Sequence, residues 1–211
     1  MYTHSTEVIT KGKPLSETGK ALIMVHGRGA TAESILGLAQ QLPVQDYTLF
    51  APQATQHSWY PYSFMAPQAQ NQPALDSALE RLDELVESIL DQGVKSEGLY
   101  FAGFSQGACL ASEYTSRNAR KYGGVLLFTG GLIGQQLDSS KYKGDFAGTP
   151  VLITTGDPDP HVPVSRVEET VEVMEKLGAA VTKKVYPGRP HTIGQQELDL
   201  ANRILKSPKT D

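Results

Sequence analysis

The sequence predicts an α/β fold: one domain over residues 1–211, built on a mostly parallel sheet with helices on both faces. Three observations predict it. Short apolar runs recur at 21–25, 47–51, 98–102, 124–128, 150–155 and 181–186. Helical periodicity fills most of the gaps between them. Residues suited to chemistry follow the ends of the runs, where ligand and catalytic groups gather in open parallel sheets. At 211 residues and 22.9 kDa the chain is long enough for a single sizeable core.

Residues 1–20 hold a short edge strand near Val8 and Ile9. The continuous apolar run Ala21, Leu22, Ile23, Met24, Val25 reads as a buried strand and ends in His26-Gly27-Arg28-Gly29. The next strand, 47–51, leads into an aromatic cluster of Trp59, Tyr60, Tyr62 and Phe64 with Met65. A Gln/Pro/Ala-rich stretch, 66–73, reads as a loop. The clearest helix spans about 73–92: Leu75, Ala78, Leu79, Leu82, Leu85, Val86, Ile89 and Leu90 recur at three- and four-residue spacing between Pro73 and Gly93. The strand 98–102 runs into Gly103-Phe104-Ser105-Gln106-Gly107 and a small-residue helix start at Ala108. After the strands 124–128 and 150–155, a helix is predicted at about 165–177, with Ser165 and Glu168 at capping-box spacing and Gly178 beyond its end. The last strand, 181–186, precedes Pro187-Gly188-Arg189-Pro190-His191 and a helix over 192–206 with Leu198, Ala201, Ile204 and Leu205 on one side.

The formal net charge is −4, from 19 Lys and Arg against 23 Asp and Glu, with no basic run, which argues against a nucleic-acid surface or an anionic-membrane patch. Small neutral or apolar substrates fit better. The N-terminus lacks the basic-then-apolar pattern of a signal peptide, and no apolar stretch approaches the ~20 residues of a membrane span. The single cysteine, Cys109, excludes an intramolecular disulfide and reads as a buried structural thiol. Together these predict a cytoplasmic protein; the oligomeric state stays open.

The glycines around Ser105 form a G-x-S-x-G pattern between a strand and a helix, which is a nucleophile elbow. A serine hydroxyl is a weak nucleophile until a tight turn projects it toward a base and toward backbone N–H groups. Upstream, His26-Gly27-Arg28-Gly29 has the strand-then-HGxG form that supplies an oxyanion-hole N–H. Five histidines compete as base. His4 falls in a frayed terminus, His26 suits a structural hydrogen bond in its turn, and His57 lines the entrance. His161 is the rival, but it lies two residues from Asp159 in one loop, so His191, in a separate loop, is preferred. For the acid, Asp157 and Asp159 both follow a strand and spacing leaves them level.

The set Val25 to Gly29, Gly103 to Ala108, Gly156-Asp157-Pro158-Asp159-Pro160-His161-Val162-Pro163 and Gly188 to His191 resembles the phospholipase/carboxylesterase family of α/β-hydrolases, which includes the acyl-protein thioesterases. The resemblance covers nearly the whole chain from about residue 20. It implies an α/β-hydrolase fold, a catalytic set of Ser105, Asp159 and His191, oxyanion donors at the backbone N–H groups of Arg28 and Gln106, and no cofactor. The acid lands on Asp159 because the family pattern is Gly-x-x-Asp-x-x-Val-Pro. Acyl-protein thioesterases carry an apolar residue where this chain has Arg28, and a Ser-Gly-x-Leu-Pro stretch where it has Thr129-Gly130-Gly131-Leu132-Ile133. The segment from Pro52 to Phe64 looks closer to small bacterial carboxylesterases of the hydroquinone-associated type.

Trp59, Tyr60, Phe64, Leu132 and Val162 are the expected substrate-pocket residues, with a packed loop as the other reading of the aromatic cluster. Arg28 and Arg189 are either solvated charges or a site for an acidic substrate group. The expected activity is hydrolysis of small to medium acyl or aromatic esters through an acyl-enzyme, with a small-molecule ester or thioester as partner. Acyl-protein thioesterase or lysophospholipase activity is the alternative. Two other classes compete: metal-dependent chemistry on Asp157, Asp159, His161 and His191, and a non-catalytic binding module on the same fold.

Overall fold

Each of the expected apolar runs is a strand in the computed structural model, which describes residues 2–206. The expected domain range also takes in Met1 and residues 207–211, which lie outside the described residues. The strands are β1 (Val8–Gly12), β2 (Ala21–Val25), β3 (Thr48–Pro52), β4 (Leu99–Phe104), β5 (Gly124–Phe128), β6 (Pro150–Asp157) and β7 (Ala180–Pro187). They form one sheet in the order β1-β3-β2-β4-β5-β6-β7, parallel throughout except for β1, which pairs antiparallel with β3 at the edge. β2 and β4 lie side by side in the middle, Val25 opposite Gly103, so the turns that follow them emerge together.

Among the described residues seven α-helices accompany the sheet: α1 (Leu15–Thr18), α2 (Ala32–Leu36), α3 (Gln68–Asn71), α4 (Ala74–Leu90), α5 (Gln106–Arg117), α6 (Val164–Lys176) and α7 (Gln195–Lys206). Strand side chains alternate between two cores. Ile23, Val25, Phe101, Leu127 and Ile153 face a layer with Leu82 and Val86 of α4 and Leu110 of α5, while Leu22, Met24, Leu126 and Leu152 face Ile35 of α2 and Leu198 and Leu205 of α7. Burying each such aliphatic side chain contributes ~1.5–3 kcal/mol, and because both faces are covered the inner strands read as unbroken apolar runs.

Local expectations fail where neighbours supply what the sequence pattern lacks. Helix α6 starts at Val164 with Pro163 at its N-cap, so Ser165 lies inside the first turn and makes no cap; Glu168 pairs instead with Lys183 of β7 at 3.0 Å. The real capping box is at α2, between Thr31 and Ser34. The stretch 66–73 is not wholly loop: α3 occupies Gln68–Asn71, and buried Asn71 accepts from the Tyr62 N–H and donates to the Ser63 carbonyl. His4 is not frayed. It is buried, with Nε2 2.9 Å from the Trp59 carbonyl and Nδ1 accepting from the Thr55 N–H, and burial lowers its pKa.

Candidate active site

Ser105 sits between β4 and α5 with φ 54° and ψ −120°, a conformation held because the helix must cross tightly over the sheet. A Cβ on Gly107 would strike the carbonyls of Val25 and His26, and one on Gly103 would strike the Gly107 backbone. The two glycines let α5 approach β2 and β4 closely enough to lift Ser105 to the sheet's carboxyl end. Its N–H is anchored on the Phe128 carbonyl at 3.0 Å.

His191 Nε2 lies 2.8 Å from Ser105 Oγ, and His191 Nδ1 lies 2.8 Å from Asp159 Oδ2. The Asp159 carboxylate is fully buried, and its Oδ1 accepts the N–H groups of His161 and Val162, both at 2.8 Å. Burial pushes this carboxyl's pKa up, but those N–H groups and His191 outweigh it and hold the pKa below its ordinary value. An ionised Asp159 assigns the imidazole proton to Nδ1 and leaves Nε2 to accept from the serine hydroxyl. Asp157 is exposed at the end of β6, and its carbonyl accepts the Gly188 N–H. Of the two aspartates that spacing leaves level, only Asp159 has its carboxylate turned inward onto the imidazole. His161 is exposed; its ring meets His191 edge-on at 5.1 Å and does not bond Ser105.

The turn after β2 brings Arg28 beside the elbow. His26 is buried, its Nε2 accepting the Ala54 N–H and its Nδ1 donating to the Gly27 carbonyl at 2.8 Å. Burial lowers its pKa and keeps it neutral. Among the described residues the backbone N–H groups of Arg28 and Gln106 donate to no other group, and Gln106 opens α5, where a helix leaves its first N–H groups unbonded. Both are available to an oxyanion.

Between these elements lies a cavity of about 800 Å³ reaching Ser105 and His191. Tyr60, Phe64 and Val162 line it. Trp59 and Leu132 do not: Trp59 is buried beneath the turn, its indole N–H on the His26 carbonyl at 2.9 Å, and Leu132 is held in the core by Thr170 and Arg166. His57 is exposed and does not line the cavity either; its carbonyl accepts the Gly29 N–H. Phe104, Tyr62 and His161 are the lining residues that periodicity could not single out. Cys109 reaches the cavity floor, and burial pushes its thiol up to about 12, so it stays protonated.

Two further side chains shape the site. Gln106 accepts the Trp59 N–H and donates to the Tyr60 carbonyl, tying the aromatic loop to the elbow. Glu197 of α7, fully buried, accepts from Thr154 Oγ1 of β6, from the Gly194 N–H and from Arg189. It braces both ends of the loop that carries His191. Its spacing from Gly194 was the one available signal, a glutamate three residues after a helix cap. Arg189, stacked on Tyr186 at 3.8 Å, is therefore committed to Glu197 rather than free for a substrate. Among the described residues no group of three or more His, Cys, Asp or Glu is gathered to hold a metal ion, and both ring nitrogens of His191 are already engaged.

The profile of the phospholipase/carboxylesterase family matches residues 4–207. A crystal structure of a phospholipase/carboxylesterase from Dyadobacter fermentans superposes with a TM-score of 0.96 at 60% identity, covering 98% of this chain and 99% of that one. Acyl-protein thioesterase 1 of Saccharomyces cerevisiae is 27% identical, over 95% of this chain and 96% of its own length. Acyl-protein thioesterase 1 of Gibberella zeae is 31% identical over 58% of this chain; the chain spans about half, 53%, of that relative's length.

Proposed function

From a chain that belongs to the phospholipase/carboxylesterase family, and from the unbroken relay of 2.8 Å contacts joining Ser105, His191 and Asp159, we propose a serine carboxylesterase acting on small to medium acyl or aromatic esters. Ser105 Oγ attacks the ester carbonyl as its proton passes to His191 Nε2. The carbonyl oxygen, now negative, is held by the N–H groups of Arg28 and Gln106. As the C–O bond to the alcohol breaks, His191 returns the proton to the leaving oxygen, and an acyl-Ser105 ester remains. Water then repeats the sequence, giving its proton to His191 and releasing the acid and free Ser105. Asp159 keeps the imidazole in register and stabilises its charged form. No step calls for a cofactor.

The relay carries the reading because its order and distances are those a general base and a serine nucleophile require. The names of the thioesterase relatives support a second reading, hydrolysis of acyl thioesters, on the same residues. Among the described residues no helix is long and apolar enough to cross a membrane, and the single cysteine fits a cytoplasmic site of action.

A fluorophosphonate probe is expected to label Ser105, and Ser105→Ala to abolish labelling and lower ester turnover on the order of 10⁶-fold with its thermal transition unchanged. Labelling that persists in the alanine variant sinks the assignment. A chain-length panel of matched esters and thioesters separates the two substrate readings.

A further inference from the structure

Arg28 does more at this site than offer its backbone. Its guanidinium Nη1 donates to Ser58 Oγ at 3.0 Å and to the Pro61 carbonyl at 2.8 Å, and Nη2 donates to the Tyr62 carbonyl at 2.6 Å. A guanidinium has five N–H groups, so Nε–H and one Nη2–H remain, and all three acceptors are neutral. Arg81, Arg117, Arg120, Arg166 and Arg189 each face a glutamate. Arg28 faces none among the described residues.

The cavity it borders is equally uncompensated. No aspartate or glutamate side chain lines it, although the chain as a whole carries four more acidic than basic residues. Its charged and titratable lining is Arg28, His161, His191, the phenols of Tyr60 and Tyr62, and the protonated Cys109. Of the carboxylates nearby, Asp159 is fully buried behind His191, and Glu113, buried near Tyr60 and Cys109, is paired with Arg117. The guanidinium is also fixed close to the reacting centre: Ser58 Oγ, which it holds, is 3.3 Å from the Nε2 of Gln106, the residue after the nucleophile. A cation pinned on three neutral oxygens keeps its charge and loses little entropy on meeting an anion.

On the esterase reading, we propose that the substrate is an ester bearing a carboxylate, bound by the Arg28 guanidinium while the ester carbonyl rests on Ser105. The apolar lining of the same cavity, Tyr60 and Phe64, suits a short aliphatic or aromatic spacer. Two kinds of molecule present this chemistry: a half-ester of a dicarboxylic acid, with the charge on the acyl side, and an ester of a carboxylated phenol, with the charge on the leaving group.

The test uses matched pairs. Monophenyl glutarate is compared with phenyl valerate, and 4-acetoxybenzoate with its methyl ester, in wild type, Arg28→Gln and Arg28→Lys. Because Arg28 also pins the loop at 58–62, the quantity read is the charged-to-neutral ratio of kcat/KM, which cancels both loop effects and intrinsic ester reactivity. In one of the pairs the wild-type ratio is expected to exceed that of Arg28→Gln about 5- to 10-fold, mainly through KM, with Arg28→Lys between them and 0.5 M salt narrowing the gap. The pair that responds identifies the side carrying the charge. Equal ratios in wild type and Arg28→Gln for both pairs, with neutral esters well hydrolysed, overturn the carboxylate inference and leave the esterase standing. No turnover of any ester, with no fluorophosphonate labelling, overturns both.

Discussion

At the scale of single residues, the site is a choice among near equivalents made by position. Asp159 and Asp157 are two residues apart, yet only Asp159 has its carboxylate turned inward onto two N–H groups and an imidazole. Asp159→Asn is expected to lower kcat on the order of 10⁴-fold with little change in KM, while Asp157→Asn stays within a few-fold of wild type. Steady-state kinetics on one ester distinguish them, and the reverse ranking would transfer the role to Asp157. Trp59 and Phe64 divide in the same way. Phe64 lines the cavity, so Phe64→Ala is expected to flatten the acyl chain-length profile, since each methylene held in an apolar pocket is worth ~1–3 kcal/mol. Trp59 is core, so Trp59→Ala is expected to cost ~3–5 kcal/mol of stability and leave the profile of the folded fraction unchanged. Denaturant melts run beside the chain-length panel check both.

At the scale of elements, the site depends on four turns, which follow β2, β4, β6 and β7, each held by bonds to a neighbour. The His191 loop is the longest of these, and Glu197 ties it to β6 and α7. Glu197→Ala strands a half-buried arginine and a buried hydroxyl and is expected to destabilise the fold by ~3–5 kcal/mol. Glu197→Gln keeps the acceptor for Gly194 and is expected to fold, with kcat reduced several-fold and KM nearly unchanged, because the loosened loop holds His191 less firmly. A Glu197→Gln enzyme with wild-type kcat would mean that α7 and β7 position the histidine unaided.

At the scale of the whole molecule, two buried histidines tie stability to pH. Burial lowers the pKa of both His4 and His26, so as pH falls below ~6.5 the unfolded chain takes up protons that the folded chain refuses. Stability is therefore full above that value and is lost on acidification through the window beneath it. Asp159 acts in a separate window: its contribution is present above the ordinary carboxylate value near 3.9 and lost as pH falls through its depressed folded value. Thermal transitions between pH 5 and 8 are expected to rise with pH in wild type, and less steeply in His4→Gln. An unchanged slope in that variant would remove His4 from the account.

The succession of strands and helices along the chain, the covered sheet, the elbow and the HGxG turn were legible in the sequence, because apolar runs, glycines and a strand-ending serine are local signals that burial on two faces imposes residue by residue. The long helix α4 was legible for the same reason, its apolar side repeating every three or four residues. What the tertiary structure alone decided is everything set by contact between distant segments. His4 left the expected frayed end because Trp59, 55 residues away, offers it a carbonyl; Trp59 and Leu132 moved from pocket to core because α6 and the turn after β2 cover them. Arg28 and Arg189 read alike in sequence, each beside a motif. Only the fold gives Arg189 a buried glutamate and leaves Arg28 with neutral oxygens at the cavity, since charge pairing depends on which side chains meet in space, and sequence neighbours do not determine that.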